Sequence, residues 1–181
     1  MPSSTEESYV KERPIIFSEE SITAILAGRK RQTRRPATDN AKCPYGTVGN
    51  RLWVREWWIT EHRAFYGDNP IKFKDQVIAG NEKLFYRADY PELKSSSYWR
   101  NPLFMPRWAS RLALEIMAVR REALHAISQE DVLAEGCASG RWEDYAKLWD
   151  RLNAKRGYDW ESNPPVWVIE FRTLQPHAAD S

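Results

Sequence analysis

Cysteine is scarce in this chain, two residues in 181, and the shortage excludes several classes at once. Cys43 and Cys137 form no CxxC pair and have no histidine at zinc-finger spacing, so neither a zinc knuckle nor a redox dithiol is written here. Both read as ordinary reduced thiols. Long apolar runs are also missing: none approaches the ~18 residues that a membrane-spanning helix needs. Residues 1–11 are polar and acidic, without the apolar core of an export signal, so a cytoplasmic protein is expected. No internal repeat and no long low-complexity tract is present. The net charge is only +2, with a pI of about 8.5.

What is present is unevenly placed. Lysine and arginine gather at positions 28–35, at Arg51 and Arg55, and at Arg100, Arg107 and Arg111. Local basic clusters suit a phosphate or nucleotide partner better than the mild net charge suggests. Nine tryptophans supply flat faces that either fill a core or stack on rings such as nucleobases. The length fits one domain with a real core. The expected organisation is a disordered lead-in over 1–13, one domain over 14–174 with an insertion at about 60–105, and a tail over 175–181.

Pro14–Phe17 reads as a short strand. Ser18 is a good helix N-cap, Glu19 and Glu20 suit a first turn, and Ile22, Ile25 and Leu26 make an apolar stripe that Gly28 ends. Pro36, Pro44, Gly46 and Gly49 mark 36–50 as a loop. Arg51–Ile59 reads as a strand covered on both sides, with Glu56 interrupting one of them. A buried carboxylate there needs a partner, which the basic residues 28–35 would supply. Leu84–Ala88 is a candidate strand within an otherwise irregular stretch. Arg111–Arg121 is a long strand with Leu112, Leu114, Ile116 and Ala118 on one face and Glu115 in the middle of the other. Glu115 either reaches solvent at a sheet edge or points into a polar cleft. Ser128–Gly136 is a short helix with a capping-box pattern, and Trp142–Arg156 is a longer one whose stripe of Trp142, Tyr145, Leu148, Trp149 and Leu152 reads as core. In Val166–Thr173, Trp167, Ile169 and Phe171 face inward. Strands separated by irregular loops argue for an α+β fold built on a small mixed β-barrel with flanking helices.

The octet Gly28-Arg29-Lys30-Arg31-Gln32-Thr33-Arg34-Arg35 has two readings. One is a solvated basic turn after a helix. The other is a site in which the Lys30 amine and the Thr33 hydroxyl meet. Gly28, Lys30, Thr33 and Arg35 match the pattern G-x-K-x-x-[E/T]-x-R, and the Gly49–Val54 stretch, Leu114-Glu115-Ile116 and Trp167–Phe171 follow in order. In these blocks the chain resembles the ASCH-domain family, a PUA-like group of small β-barrels. It is also similar to longer phage and prophage ASCH-like proteins through Cys43–Gly46, Trp53–Glu56, Met105–Arg111 and Lys155–Tyr158. Threonine at the sixth place of the pattern resembles the branch that acts as N4-acetylcytidine amidohydrolases.

That resemblance implies a metal-free, cofactor-free hydrolase acting on an N4-acylated cytosine nucleoside, with Lys30, Thr33 and Glu115 as catalytic residues. Thr33 would be the nucleophile, Lys30 its base if neutral, and Glu115 the acid for the leaving amine. In a competing arrangement Lys30 pairs with Glu115, stays charged and stabilises an oxyanion. Glu56 would orient substrate. Trp57, Trp58, Tyr86 or Trp108 would stack on the base, and Arg35, Arg55 and Arg107 would hold ribose, phosphate or the base carbonyl. The insertion at about 60–105 departs from the small enzymes of this branch. An RNA-binding module, a ribonuclease and a phage assembly factor are the alternative functions.

Overall fold

A computed structural model of the chain describes residues 10–38, 42–60, 83–93 and 98–174. Most of the expected lead-in, most of the 60–105 insertion and the 175–181 tail lie outside the described residues. The elements are β1 (Glu12–Ile16), α1 (Glu19–Leu26), β2 (Gln32–Pro36), β3 (Arg51–Arg55), β4 (Trp58–Thr60), β5 (Leu84–Tyr86), β6 (Ala113–Ala123), α2 (Gln129–Ala134), α3 (Trp142–Asn153) and β7 (Pro165–Leu174), with single 3-10 turns between some of them.

Five strands make one mixed sheet in the order β1-β3-β6-β7-β2. β1 runs parallel to β3, and the other neighbours are antiparallel. β1 and β2 are therefore the two edges. The expected barrel is here an α+β fold whose strand pairing does not close into a ring among the described residues. The Arg51–Ile59 stretch is two strands in two sheets: after Arg55 the chain turns, and β4 pairs with β5 in a separate ribbon. Among the described residues no helix is long and apolar enough to cross a membrane.

The sheet lies between two apolar layers. Ile15, Phe17, Ile22, Ile25, Leu114 and Phe171 belong to one cluster. Val166 and Val168 belong to the other, with Leu124, Val132, Tyr145 and Trp149 from the helical side. β7 is thus buried on both faces, not only through Trp167, Ile169 and Phe171. Its run of β-branched residues is what a doubly covered central strand requires. β6 keeps Leu114 and Ile116 on the core face as expected, but a bulge between Ile116 and Ala118 shifts the register. Val119, not Ala118, therefore joins the first core cluster. The aromatic stripe of α3 also divides: Tyr145 and Trp149 are buried, whereas Trp142 and Leu152 are exposed. Leu26 of α1 is exposed too, leaving Ile22, Ala24 and Ile25 as the inward face.

Local capping fixes the two helices that matter for the cleft. Ser18 Oγ accepts from the Ser21 N–H and starts α1. Ser128 and Asp131 form the reciprocal capping box of α2, side chain to backbone in both directions at 3.1 and 3.2 Å. At the other end of α2 the Gly136 N–H donates to Leu133 O and the Cys137 N–H to Val132 O, which is a Schellman closure around left-handed Gly136. Glu135 is the residue held between helix and glycine.

Candidate active site

The basic octet is not a solvated turn. Gly28 takes a positive φ of 70°, and the Arg29 and Lys30 N–H groups both donate back to Ala24 O. The chain then enters β2, which pairs along β7 from Gln32↔Glu170 to Pro36↔Val166. Lys30, Gln32, Thr33 and Arg34 are all buried. A buried run of this charge must find partners, and it finds them at α2.

The Lys30 ammonium nitrogen lies 2.9 Å from Glu135 Oε2 and donates at 2.8 Å to the Glu135 carbonyl. Both side chains are about as enclosed as the core, at 5% and 4% exposure. Arg34, fully buried, donates to Glu122 at 2.6 Å, Asp131 at 2.9 Å and Glu135 at 3.3 Å. The Asp131 oxygen that caps α2 is the one that receives Arg34. Arg120 extends the network, bridging Glu122, Asp131 and Glu170. The backbone is tied in as well: Lys30 and Glu135 form a β-bridge, and the Arg31 N–H donates to Ala134 O at 2.9 Å.

A cavity of about 550 Å³ opens between the two sheet edges and α3. Lys30, Thr33 and Glu135 all line it, with Tyr145 and Trp57. Among the described residues no hydrogen bond engages the Thr33 hydroxyl. Burial pushes the Lys30 amine below its ordinary pKa of 10.5; Glu135 opposes this, and Arg35 and Arg34 add to it. Burial likewise holds the Tyr145 hydroxyl well above its usual value, reinforced by the Glu135 charge.

Glu115 is not at this site. It stands opposite Arg51 and Arg172 in the sheet and is held by Arg172 at 2.6 Å. The acid that meets Lys30 is Glu135. Pairing by a neighbouring strand arginine explains why Glu115 points away from the cleft. Glu56 has a partner, but not from the octet: Arg111 grips both its oxygens at 2.9 Å and also reaches Asp89. Burial raises the Glu56 pKa, with Arg111 pulling the other way. Glu56 is not among the residues that line the cavity.

Of the other residues expected to bind substrate, Arg35, Arg55 and Trp57 line the cavity. Arg87 covers one face of the Trp57 ring at 4.1 Å. Arg107 instead pairs with Glu12 at 2.8 Å. Trp58 is fully buried with Met105 and Ala109, and Trp108 packs edge-on against it at 5.8 Å. The Tyr86 hydroxyl donates to Ala109 O, and Arg111 lies on its ring. Those three aromatics hold the β4–β5 region and do not face the cleft.

The signal for Glu135 was present in the sequence. An acid in the last position before a helix-ending glycine opposes the helix dipole, so it needs a cation. Gly136 adds a second clue. A Cβ at this position would lie 2.9 Å from Lys30 Cβ and 3.0 Å from Ala24 Cβ. The glycine lets the lysine segment approach.

No family model matches this chain, and no curated protein does. Solved structures similar to this chain share little sequence with it. One such structure is the ASCH domain from Lactobacillus crispatus, 12% identical over 90% of this chain and 79% of that one, with a TM-score of 0.49. A protein of the DUF984 family from Enterococcus faecalis is 9% identical over 95% of this chain and 86% of that one, also at 0.49.

Proposed function

We propose that this chain is an amidohydrolase that removes the acyl group from N4-acylated cytosine nucleosides, using Lys30, Thr33 and Glu135. The observation that carries the reading is the enclosed Lys30–Glu135 pair, which opens on the same cavity as an unengaged Thr33 hydroxyl. Amide hydrolysis by side chains needs a nucleophile, a base for it and an acid for the leaving nitrogen. Proton transfer across the 2.9 Å between the Lys30 amine and Glu135 would supply the last two together. With the proton on Glu135, Lys30 is a neutral base and Glu135 a neutral acid. Burial and the neighbouring arginines lower the lysine pKa toward that form, and Glu135 opposes them.

The steps balance. Thr33 Oγ gives its proton to Lys30 and bonds to the acyl carbon. Glu135 then protonates the exocyclic nitrogen, the C–N bond breaks, and the cytosine amine leaves an acyl ester on Thr33. Water attacks that ester, giving its proton to Glu135. Lys30 returns a proton to the Thr33 oxygen, and the carboxylic acid departs. Trp57 stands in the cavity wall as the aromatic face for the base.

The test is ultraviolet-monitored turnover of N4-acetylcytidine, with and without chelator, by the parent protein and by Thr33→Ala, Lys30→Met and Glu135→Gln. Loss of turnover in all three, with unchanged circular dichroism, is the expected result. An undiminished rate in Thr33→Ala removes the nucleophile and with it the proposal.

A further inference from the structure

Most arginines here whose contacts are defined sit against carboxylates: Arg34, Arg111, Arg120 and Arg172 each have at least one within 3.3 Å. Arg35, Arg55 and Arg156 differ. All three line the cleft, and among the described residues none is paired with an acid. Arg35 reaches only the Ile16 carbonyl, at 2.7 Å, and lies over the Phe17 ring. Arg55 rests on the Trp53 ring at 4.6 Å. Arg156 makes a long contact to Asn153, at 3.5 Å, and lies over the Tyr158 ring at 5.9 Å. The Nε atoms of Arg35 and Arg55 are buried without any acceptor.

The cleft's other cations are already balanced. Lys30 faces Glu135, and Arg34 faces Glu122, Asp131 and Glu135. Three guanidinium groups therefore face the cavity with no acid paired to them among the described residues. Unsatisfied buried N–H groups and uncompensated charge are costly in the free protein. A planar, multiply donating guanidinium matches a phosphate better than it matches any neutral sugar hydroxyl. The cavity, at about 550 Å³, lies within the usual range for a small-molecule site.

We infer that Arg35, Arg55 and Arg156 form a phosphate subsite, so that the substrate is an acylated cytosine mononucleotide rather than the free nucleoside. This rests on the hydrolase reading above for the identity of the base, but not for the phosphate. Burial also pushes the Arg35 guanidinium below its usual pKa against the opposing pull of Tyr45, Glu135 and Tyr145, and the nearby Arg156 charge acts in the same direction as burial. A bound dianion would relieve both effects. Arg35 doubles as a link from β2 to the end of β1, so Arg55 and Arg156 are the residues to alter.

The experiment measures binding of cytidine and cytidine 5′-monophosphate to the full chain by calorimetry. In parallel it follows turnover of N4-acetylcytidine and its 5′-monophosphate. The monophosphate is expected to bind at least about tenfold more tightly than the nucleoside. That preference shrinks as salt rises, and falls toward unity in Arg55→Gln and Arg156→Gln. Equal affinity for cytidine and its monophosphate in the unaltered protein overturns the subsite, whatever the variants do. A preserved monophosphate preference with no turnover of any acylated cytosine supports the subsite and sinks the hydrolase reading alone. An RNA oligonucleotide carrying internal acetylcytidine that is preferred over the monophosphate by about tenfold or more overturns the mononucleotide assignment.

Discussion

Replacing Glu135 by glutamine changes one oxygen for an amide nitrogen at an enclosed ion pair of the cleft. Removing one member of a buried pair strands the other, at a cost of about 3–5 kcal/mol. Arg34 keeps Glu122 and Asp131, so the loss falls on Lys30. The glutamine carbonyl can still accept from the amine, which places the expected cost near the lower end, about 3 kcal/mol. The pH dependence follows from the direction of the lysine shift. Lys30 already titrates below 10.5 in the folded protein, and Glu135 is the largest influence holding it up. Without Glu135 it falls further. Between the folded pKa and the ordinary one the unfolded chain binds more protons, so stability rises with pH across that window. The penalty is complete below the folded pKa and gone above the unfolded one. Glu135→Gln should therefore be least stable near neutrality, regain stability toward alkaline pH, and begin that recovery at lower pH than the parent. Urea unfolding followed by tryptophan fluorescence, from about pH 6 to about pH 10, measures this. Adding Lys30→Met to Glu135→Gln should recover part of the loss at neutral pH, because the stranded charge is gone. A Glu135→Gln protein within about 0.5 kcal/mol of the parent at pH 7, with the same pH slope, would refute the buried pair.

Thr33→Ala should lower turnover by at least about 100-fold with little change in the unfolding midpoint, read by parallel kinetics and denaturation. Glu115→Ala should leave turnover unchanged and cost no more than about 1 kcal/mol, because its partner Arg172 is largely exposed. Gly136→Ala should destabilise by about 1–3 kcal/mol, since φ is 86° and the new Cβ would press on Lys30. Its turnover should fall by more than the unfolded fraction explains, measured well below the melting temperature. Arg111→Met should cost about 3 kcal/mol at neutral pH by stranding Glu56, which is 2% exposed. Burial raises the Glu56 pKa, so that loss should ease as pH falls through the raised value, in the same urea assay.

The elements whose signals are local were legible in the sequence. The Ser18 cap, the Ser128–Asp131 box and the Gly136 stop depend on residues within one turn of each other, and all three stand where their patterns put them. Lys30 and Thr33 reach one cavity as the octet suggested. That the carboxylate beside Lys30 is Glu135 and not Glu115 is a matter of strand register and of helix docking 105 residues away from Lys30. Neither periodicity nor spacing carries that information. Strand alternation left Glu115 open to solvent or to a cleft, and in the fold the Arg172 beside it on β7 claims it. The same reason explains Glu56. Its need for a cation was clear, but the cation came from Arg111 ahead of β6 and not from the octet. Among the tryptophans, only packing separates Trp57 on the cavity wall from Trp58 one residue later in the core.

The extra residue at Met117 makes β6 a ruler that can be misread. Upstream of it the strand is in phase with the first core layer, and downstream Arg120 and Glu122 share the face of Val166 and Val168. Were Met117 to pair in line with Glu170 instead of bulging, every later residue of β6 would slip one place along β7, and Arg120 and Glu122 would turn to the opposite surface. Arg34 would lose Glu122, and Asp131 would lose Arg120, without any change to a residue that touches the cleft. The bulge is therefore under the same constraint as the chemistry it supports, whereas the loops can lengthen or shorten without that penalty.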